Sequence, residues 1–226
     1  MPLLHKARLA WHCWQAKEPL KTFYQALSPV LSKPVAEAPL MALDLEMTGL
    51  EPGCDQILSI GVVPINKGRL ELSGARHKLV SIAGSVGQSA TIHGIMDRHL
   101  EQGALAPEQL LPWLLRQSQG RILLMHHAPL DCAFLSRLCQ QAYGTKLHLP
   151  VIDTLLLEKT RLQRQQEVLP SGSLRLGACR SRYHLPPYSA HNALTDALAC
   201  GELFLAQSCD AAKEPVPISS PGYSSR

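Results

Sequence analysis

The chain has 226 residues, is 46% hydrophobic and 18% charged, and carries a formal net charge of +4. This length fits one large domain with extensions, and the hydrophobic share is enough for a sizeable core. The weak positive charge permits a polyanionic partner without requiring one. The seven cysteines contain no CxxC pair and follow no zinc spacing, which excludes a zinc ribbon and predicts reduced thiols. No apolar run is long enough to cross a membrane, so we expect a cytoplasmic protein with no membrane contact.

Residues 1–38 are predicted to form a helical extension followed by a linker. Four apolar side chains recur at helical spacing, namely Leu20, Phe23, Tyr24 and Leu27. Pro29 and Pro34 then interrupt the pattern. This extension could pack on the main domain or contact a protein partner.

The main domain is predicted to span residues 39–208. In chain order we expect strands at 40–46, 56–64 and 69–80, a helix at 107–118, a strand at 121–126, a helix at 129–143, a strand end at 151–154, a loop at 161–172, and helices at 173–180 and 192–207. This order predicts an α/β domain with a mixed, five-stranded sheet flanked by helices. The last segment, residues 209–226, is rich in proline and serine and is predicted to be a disordered tail.

Two acidic residues, Asp44 and Glu46, lie in the otherwise apolar stretch MALDLEMTGL. Side chains alternate along a strand, so both carboxylates face one side while Leu43 and Leu45 face the other. Neighbouring carboxylates raise each other's pKa, and a hard divalent cation relieves their repulsion. A solvent-facing strand edge with two acids is the alternative, and the pair alone does not decide between them.

Further candidates follow later strands. Asp131 lies early in a predicted helix, where it could equally serve the helix dipole. His191 and Asp196 are five residues apart, so they share no helical face and can converge only if His191 precedes the helix. Taken singly, each has an ordinary structural explanation.

Together, these positions form three ordered motifs. They are Asp44-Leu-Glu46-Met-Thr48-Gly-Leu50, His126-His-Ala-Pro-Leu-Asp131 and His191-Asn-Ala-Leu-Thr-Asp196-Ala197. With them the sequence resembles the DnaQ-like (RNase H-like) 3′–5′ exonuclease superfamily, DEDDh branch, over residues 40–207, and most closely the epsilon-subunit exonuclease domain of DNA polymerase III. The segments Thr91–Ile95 and Val151–Leu155 match two accessory marks of that family. His127 and Leu130 depart from the asparagine and phenylalanine usual in its second motif.

The resemblance implies an RNase H-like fold and a site with two Mg²⁺ or Mn²⁺ ions about 3.5–4 Å apart. The ligands would be Asp44, Glu46, Asp131 and Asp196, with Asp44 bridging the two ions. One ion would activate the attacking water, and the other would stabilise the leaving 3′ oxygen. His191 would be the general base, a role suited to a side chain that titrates near neutral pH.

The resemblance also implies substrate contacts. Met47 and Thr48 would lie beside the 3′-terminal nucleotide, while His93 and Ile95 would line the pocket for its base. Asp153 is expected to organise the end of the sheet rather than bind metal, and Gly94 to serve a turn. The implied reaction releases nucleoside 5′-monophosphates from the 3′ end of DNA, single-stranded DNA included. RNA ends remain an alternative substrate, and a non-catalytic module that binds nucleic acid or a polymerase remains an alternative function.

Overall fold

The structure is a computed structural model that describes residues 2–100, 103–164, 168–209, 214 and 216–218. The helices within these residues are α1 (Pro2–Gln15), α2 (Leu20–Leu27), α3 (Ala90–His93), α4 (Asp97–Leu100), α5 (Pro107–Gln117), α6 (Ala128–Tyr143), α7 (Thr154–Gln163), α8 (Leu176–Arg182) and α9 (Ala193–Gln207). The strands are β1 (Leu40–Met47), β2 (Ile57–Asn66), β3 (Arg69–Leu70), β4 (Arg76–Leu79), β5 (Ile122–Met125) and β6 (Val151–Asp153). All are elements of one mixed six-stranded sheet with the order β3-β2-β1-β5-β6, in which β4 also pairs with β2.

The sheet has antiparallel and parallel halves. Strand β2 runs antiparallel to β1, β3 and β4, whereas β5 runs parallel to both β1 and β6. The third strand predicted at 69–80 is broken into β3 and β4 by a 3₁₀ turn at Leu72–Gly74. Both pieces pair with the edge of β2 away from β1. The six strands therefore occupy the five lateral positions expected from the sequence.

Helix α9 packs directly across β1 and β2. Gly61 of β2 makes this approach possible, because a Cβ there would lie 2.2 Å from the carbonyl oxygen of Ala193. Gly61 is also the register partner of Asp44 in β1. The start of α9 is thus held against the part of the sheet that carries the first candidate acid.

Three boundaries differ from expectation. The helix predicted at 173–180 is α8, Leu176–Arg182, and starts three residues later. The predicted loop at 161–172 begins too early, because α7 continues to Gln163 and is anchored by buried Leu162. The predicted tail at 209–226 lies mostly outside the described residues. Of its described part, Val216 is buried, and the carbonyl of Glu214 accepts a 2.9 Å hydrogen bond from the Val35 N–H.

Helix α2 forms where the apolar spacing predicts it, and all four spaced side chains are buried. Each of the seven cysteines lies in the described part of the chain, and no disulfide joins any two of them. The buried ones are Cys132, Cys139, Cys179 and Cys200. Within the described part of the chain, no helix is long and apolar enough to cross a bilayer.

Candidate active site

Three of the predicted ligands meet at the C-terminal end of β1. Oxygen atoms of Asp44, Glu46 and Asp196 lie within 4.8 Å of one another. Asp44 and Glu46 come from β1, and Asp196 comes from the first turn of α9. Glu46 is only 8% exposed, and the other two are half-buried. The strand alternation and the close packing of α9 on β2 together produce this cluster.

Asp131 joins the cluster electrostatically from α6. It lies in the first turn of that helix and is only 5% exposed. Burial, followed by the charges of Asp131, Asp196 and Glu46, holds the pKa of Asp44 well above its usual range. Burial, followed by the charges of Asp153 and Glu46, does the same to the pKa of Asp131. The fourth predicted acid therefore shares the electrostatic field of the other three.

The donor set fits a divalent cation. Burial and the neighbouring Asp196 raise the pKa of Glu46 to about 7, and burial also raises the pKa of Asp196. The three ion pairs found among the described residues leave these four carboxylates out. Ionised oxygens that crowd together in this way are the ligands that Mg²⁺ and Mn²⁺ prefer.

His191 precedes α9, as the spacing to Asp196 requires. Its backbone is left-handed with φ 68°, and its N–H donates a 2.7 Å hydrogen bond to Oδ2 of Asp196. The next residue, Asn192, caps the helix by accepting from the Thr195 N–H. The His191 residue itself is exposed. The histidine thus lies on an accessible turn directly beside one of the clustered acids.

Asp153 organises the sheet end, as expected. Its carboxylate accepts hydrogen bonds from the N–H groups of His127 and Ala128 and from those of Leu155 and Leu156. One carboxylate thereby joins the starts of α6 and α7. Its oxygens are engaged with backbone donors rather than aimed at the other acids.

The second motif is explained by backbone geometry. His127 adopts a left-handed conformation with φ 73°, a region in which asparagine and histidine are both enriched. The histidine that replaces the usual asparagine therefore keeps the turn that starts α6. The preceding His126 is anchored by Oγ1 of Thr154 at 2.8 Å and by the carbonyl of Leu174 at 2.9 Å.

The predicted substrate contacts fall into two groups. Met47 is half-buried at the end of β1, and the Thr48 hydroxyl is engaged in the adjoining turn, donating to Asp55 and accepting from the Gln56 N–H. His93 and Ile95 lie around Gly94, whose φ of 70° makes the expected turn.

His93 lies close enough to His191 to be affected by its charge. Burial, followed by that charge, lowers the pKa of His93. Nδ1 of His93 accepts from the Ile95 N–H, while Nε2 is buried without a hydrogen-bond partner among the described residues. Ile95 is only 9% exposed and belongs to a small apolar cluster with Leu58, Val86 and Leu100. The structure thus brings His93 next to His191 and buries Ile95 in an apolar cluster.

Sequence reasoning missed a polar group behind the His191 turn. It consists of Arg180 on α8, Tyr188 on the connecting segment and Glu202 on α9. The available signal was Glu202, a charged residue within a long and strongly apolar helix. A charge in such a helix calls for a buried partner, but the partner's identity cannot be read from spacing.

Comparison with known proteins identifies the class. Residues 41–204 match the RNase_T family model, described as an exonuclease. The chain therefore belongs to this exonuclease family, within the DnaQ-like 3′–5′ exonuclease superfamily that the motifs indicate.

Individual relatives agree with this assignment. The chain is 32% identical over 169 residues to a PolC-type DNA polymerase III of Thermotoga petrophila, a match that covers 74% of this chain and 12% of the relative. It is 29% identical over 181 residues to a DNA polymerase III subunit epsilon-like protein of Rhodobacter capsulatus, covering 79% of this chain and 25% of that protein. The chain thus spans a quarter or less of either relative.

Among solved structures, E. coli Exonuclease I in complex with a dT13 oligonucleotide superimposes with a TM-score of 0.61 at 13% identity. The superposition covers 76% of this chain and 41% of that one. At this identity the likeness establishes the fold alone.

Proposed function

We propose that the chain is a metal-dependent exonuclease that releases nucleoside 5′-monophosphates from the 3′ end of DNA, with single-stranded DNA as a substrate. One observation carries the proposal: four acids and a histidine from three separate segments gather at one end of the sheet. Such a gathering has a high electrostatic cost in the metal-free protein. Bound cations would offset this electrostatic cost, and together with the acids they would bind a phosphodiester.

Asp44, Glu46, Asp131 and Asp196 would hold the cations, which we propose are two Mg²⁺ or Mn²⁺ ions. When bound, such ions lower the pKa of an attacking water and neutralise charge at the scissile phosphate. In our proposal His191 accepts the proton from that water through its ring. Its exposed turn gives the ring access to substrate, and its N–H bond to Asp196 keeps the turn close to the acids.

The terminal nucleotide would lie against Met47, Thr48, His93 and Ile95. The Thr48 N–H donates to the Gln56 carbonyl and its hydroxyl donates to Asp55, so a substrate hydroxyl would meet Thr48 only as an acceptor, through its carbonyl or hydroxyl oxygen. An apolar wall stacks on any base and therefore permits sequence-independent cutting.

The names of similar proteins support DNA over RNA. Two relatives are named for DNA polymerase III, and the superimposed exonuclease was crystallised with a DNA oligonucleotide. No residue of the candidate site has been assigned to a 2′-hydroxyl, so RNA ends remain the alternative substrate. The predicted cytoplasmic location stays a prediction.

The test is an assay on single-stranded DNA and RNA oligonucleotides of matched sequence. Labelled DNA should lose mononucleotides from its 3′ end with Mg²⁺ or Mn²⁺, faster than RNA, and not with EDTA. A 3′-terminal phosphorothioate should slow the reaction, and Asp44→Ala should abolish it. Faster release from RNA would reassign the substrate. If neither polymer is degraded but labelled oligonucleotide is still bound, the chain is a binding module on the same fold.

We also propose that α1 contacts a protein partner whose surface is acidic around an apolar anchor. Trp11 and Trp14 are 58% and 76% exposed, with ring centroids 5.8 Å apart. The first 17 residues contain no acid but include Lys6, Arg8 and Lys17. Exposed aromatic rings flanked by cations complement an acidic, amphipathic segment.

Tryptophan fluorescence tests this contact. An acidic amphipathic peptide should shift the emission of the wild-type protein but not that of a Trp11→Phe, Trp14→Phe variant, which retains Trp113. A shift caused by a dT oligonucleotide instead would assign the helix to nucleic acid.

A further inference from the structure

The segment that carries His191 is held by contacts beyond the carboxylate cluster. This segment connects α8 to α9 and spans residues 183–192. The Pro186 carbonyl accepts a 2.8 Å hydrogen bond from Nη2 of Arg180. The Tyr188 hydroxyl donates a 2.9 Å hydrogen bond to Oε1 of Glu202. Both contacts lie within five residues of His191 on its N-terminal side.

Arg180 is the centre of these contacts. It is only 3% exposed, and Nη1 donates to the carbonyl of Ala199 in α9 at 2.7 Å. Nη2 also pairs with Oε2 of Glu202 at 2.8 Å, and the guanidinium lies 4.6 Å from the centroid of the Tyr188 ring. Glu202 therefore binds Arg180 with one oxygen and Tyr188 with the other. The result is a closed polar group that joins α8, α9 and the connecting segment.

A cavity lies behind the same segment. Its volume is about 280 Å³, and its lining includes Arg180, Tyr188, Ala190 and Asp196. A close-packed interior would hold the segment by contact, but this segment has open space on one side. The hydrogen bonds at Pro186 and Tyr188 therefore help to fix its position, together with the His191 N–H bond to Asp196.

From this geometry we propose that Arg180, Glu202 and Tyr188 form a clamp that positions His191. The proposal rests on the proposed function, because it assumes that His191 is the general base. Arg180 and Glu202 hold the segment through Pro186 and Tyr188, and the hydrogen bonds of all three described here go to the segment and α9 rather than to the clustered carboxylates, so they are positioning residues. Proton transfer is sensitive to small displacements of the base. If the hydrogen bonds to the segment are lost, the segment can move into the cavity and displace His191.

Tyr188→Phe is the sharpest test. It keeps the ring over the Arg180 guanidinium and removes only the hydroxyl that reaches Glu202. With saturating Mn²⁺ and single-stranded DNA, we expect kcat to fall roughly tenfold and KM to stay unchanged. A tenfold loss is a fraction of what a general base contributes. An unchanged kcat, or a loss confined to KM, would overturn the proposal.

Tyr183→Phe is the matched control. It removes a tyrosine hydroxyl that donates to Glu158 at 3.0 Å, so it makes the same chemical change at the far end of the segment and outside the Arg180–Glu202–Tyr188 group. We expect it to lower thermal stability but to leave kcat unchanged. Equal losses of kcat in the two variants would mean that Tyr188 acts through general stability.

A double-variant cycle shows whether Tyr188 acts through His191. In a His191→Ala background, Tyr188→Phe should produce no further loss of activity. An undiminished loss there would overturn the clamp while leaving the exonuclease proposal intact. An inactive wild-type protein would instead refute the proposed function. The clamp would then be judged by amide exchange at 188–191, where faster exchange in Tyr188→Phe than in Tyr183→Phe supports it and equal exchange overturns it.

Discussion

Glu158 and the acids at the end of β1 are all withdrawn from water, but the protein surrounds their charges differently. The Glu158 side chain is 0% exposed. It accepts hydrogen bonds from Arg161 at 2.6 Å, Arg182 at 3.2 Å, the Tyr183 hydroxyl at 3.0 Å and Gln207 at 3.3 Å. Burial alone would raise the pKa of Glu158, but these hydrogen bonds outweigh it and lower the pKa.

Within the described part of the chain, the acids at the β1 end receive fewer donors, and Asp196 accepts from the His191 N–H. Asp44 is surrounded by Asp131, Asp196 and Glu46, and its pKa is raised by burial and by all three charges. The difference distinguishes two uses of a buried acid. A carboxylate with protein donors stabilises the fold, whereas carboxylates that face one another form a site for a cation.

Asp44→Asn should show the largest effect on activity. It removes one charge from the crowded site, so exonuclease activity should fall by at least about 10²-fold, on the scale of other charge-stabilising groups. The same change should leave the metal-free protein as stable as wild type, or more so, at pH 8. Activity assays and thermal melts in EDTA measure both. A destabilised, active Asp44→Asn protein would contradict the distinction.

Glu158→Ala should show the opposite behaviour. It leaves Arg161 and Arg182 without their carboxylate, and because both arginines are partly exposed the loss should be about 1–3 kcal/mol. Denaturant unfolding should show this loss, while kcat of the folded fraction stays near the wild-type value. A catalytic defect without a loss of stability would place Glu158 among the site residues.

Divalent ions should stabilise only the protein with an intact cluster. At a Mn²⁺ concentration of a hundred times the Kd, binding adds about 2.7 kcal/mol to the free energy of unfolding. The Tm of wild type and of Glu158→Gln should therefore rise with Mn²⁺, whereas the Tm of Asp44→Asn should not. An equal rise in all three proteins would indicate binding elsewhere.

As pH changes, the two regions should change the free energy of unfolding in opposite directions. These are the smallest effects that we expect. Burial and the Asp196 charge raise the pKa of Glu46 from 4.5 to about 7 in the folded protein, so the unfolded chain loses this proton first. The free energy of unfolding of the metal-free protein should therefore fall as pH rises from 4.5 to about 7, and fall less in Glu46→Gln.

The lowered pKa of Glu158 acts in the other direction. Its contribution is present above the ordinary value of 4.5 and is lost as pH falls through the folded-state pKa. Glu158→Gln should therefore reduce the loss of stability at acid pH. Urea midpoints across the pH range, measured in EDTA, check both slopes.

The sequence predicted the convergence of the acids well. Strand alternation placed Asp44 and Glu46 on one side, and the spacing of His191 and Asp196 required a turn before α9. The structure agrees with both, because these relations depend on local geometry that spacing encodes. The backbone contacts of Asp153 also agree with the expectation that it organises the end of the sheet. The reason is again local, because Asp153 lies directly between a strand and a helix.

Other features depend on contacts distant in the chain. In the sequence, Glu158 looks like a surface residue of a polar helix. Its partners Arg182 and Gln207 lie on α8 and α9, so only the folded structure shows that it is buried. The pairing of Arg180 with Glu202 spans 22 residues and is likewise invisible to local patterns. The break between β3 and β4 was missed because residues 69–80 have no proline, and a single glycine does not predict a 3₁₀ turn.

The bonds from Asp153 to two helix starts have a consequence for variant surveys. Any substitution that removes its acceptors should shift α6, and with it Asp131, so activity would fall although no cation touches Asp153. A screen scored only on nuclease activity would count this residue as a fifth ligand. A screen that also recorded melting temperatures would class it with the framework.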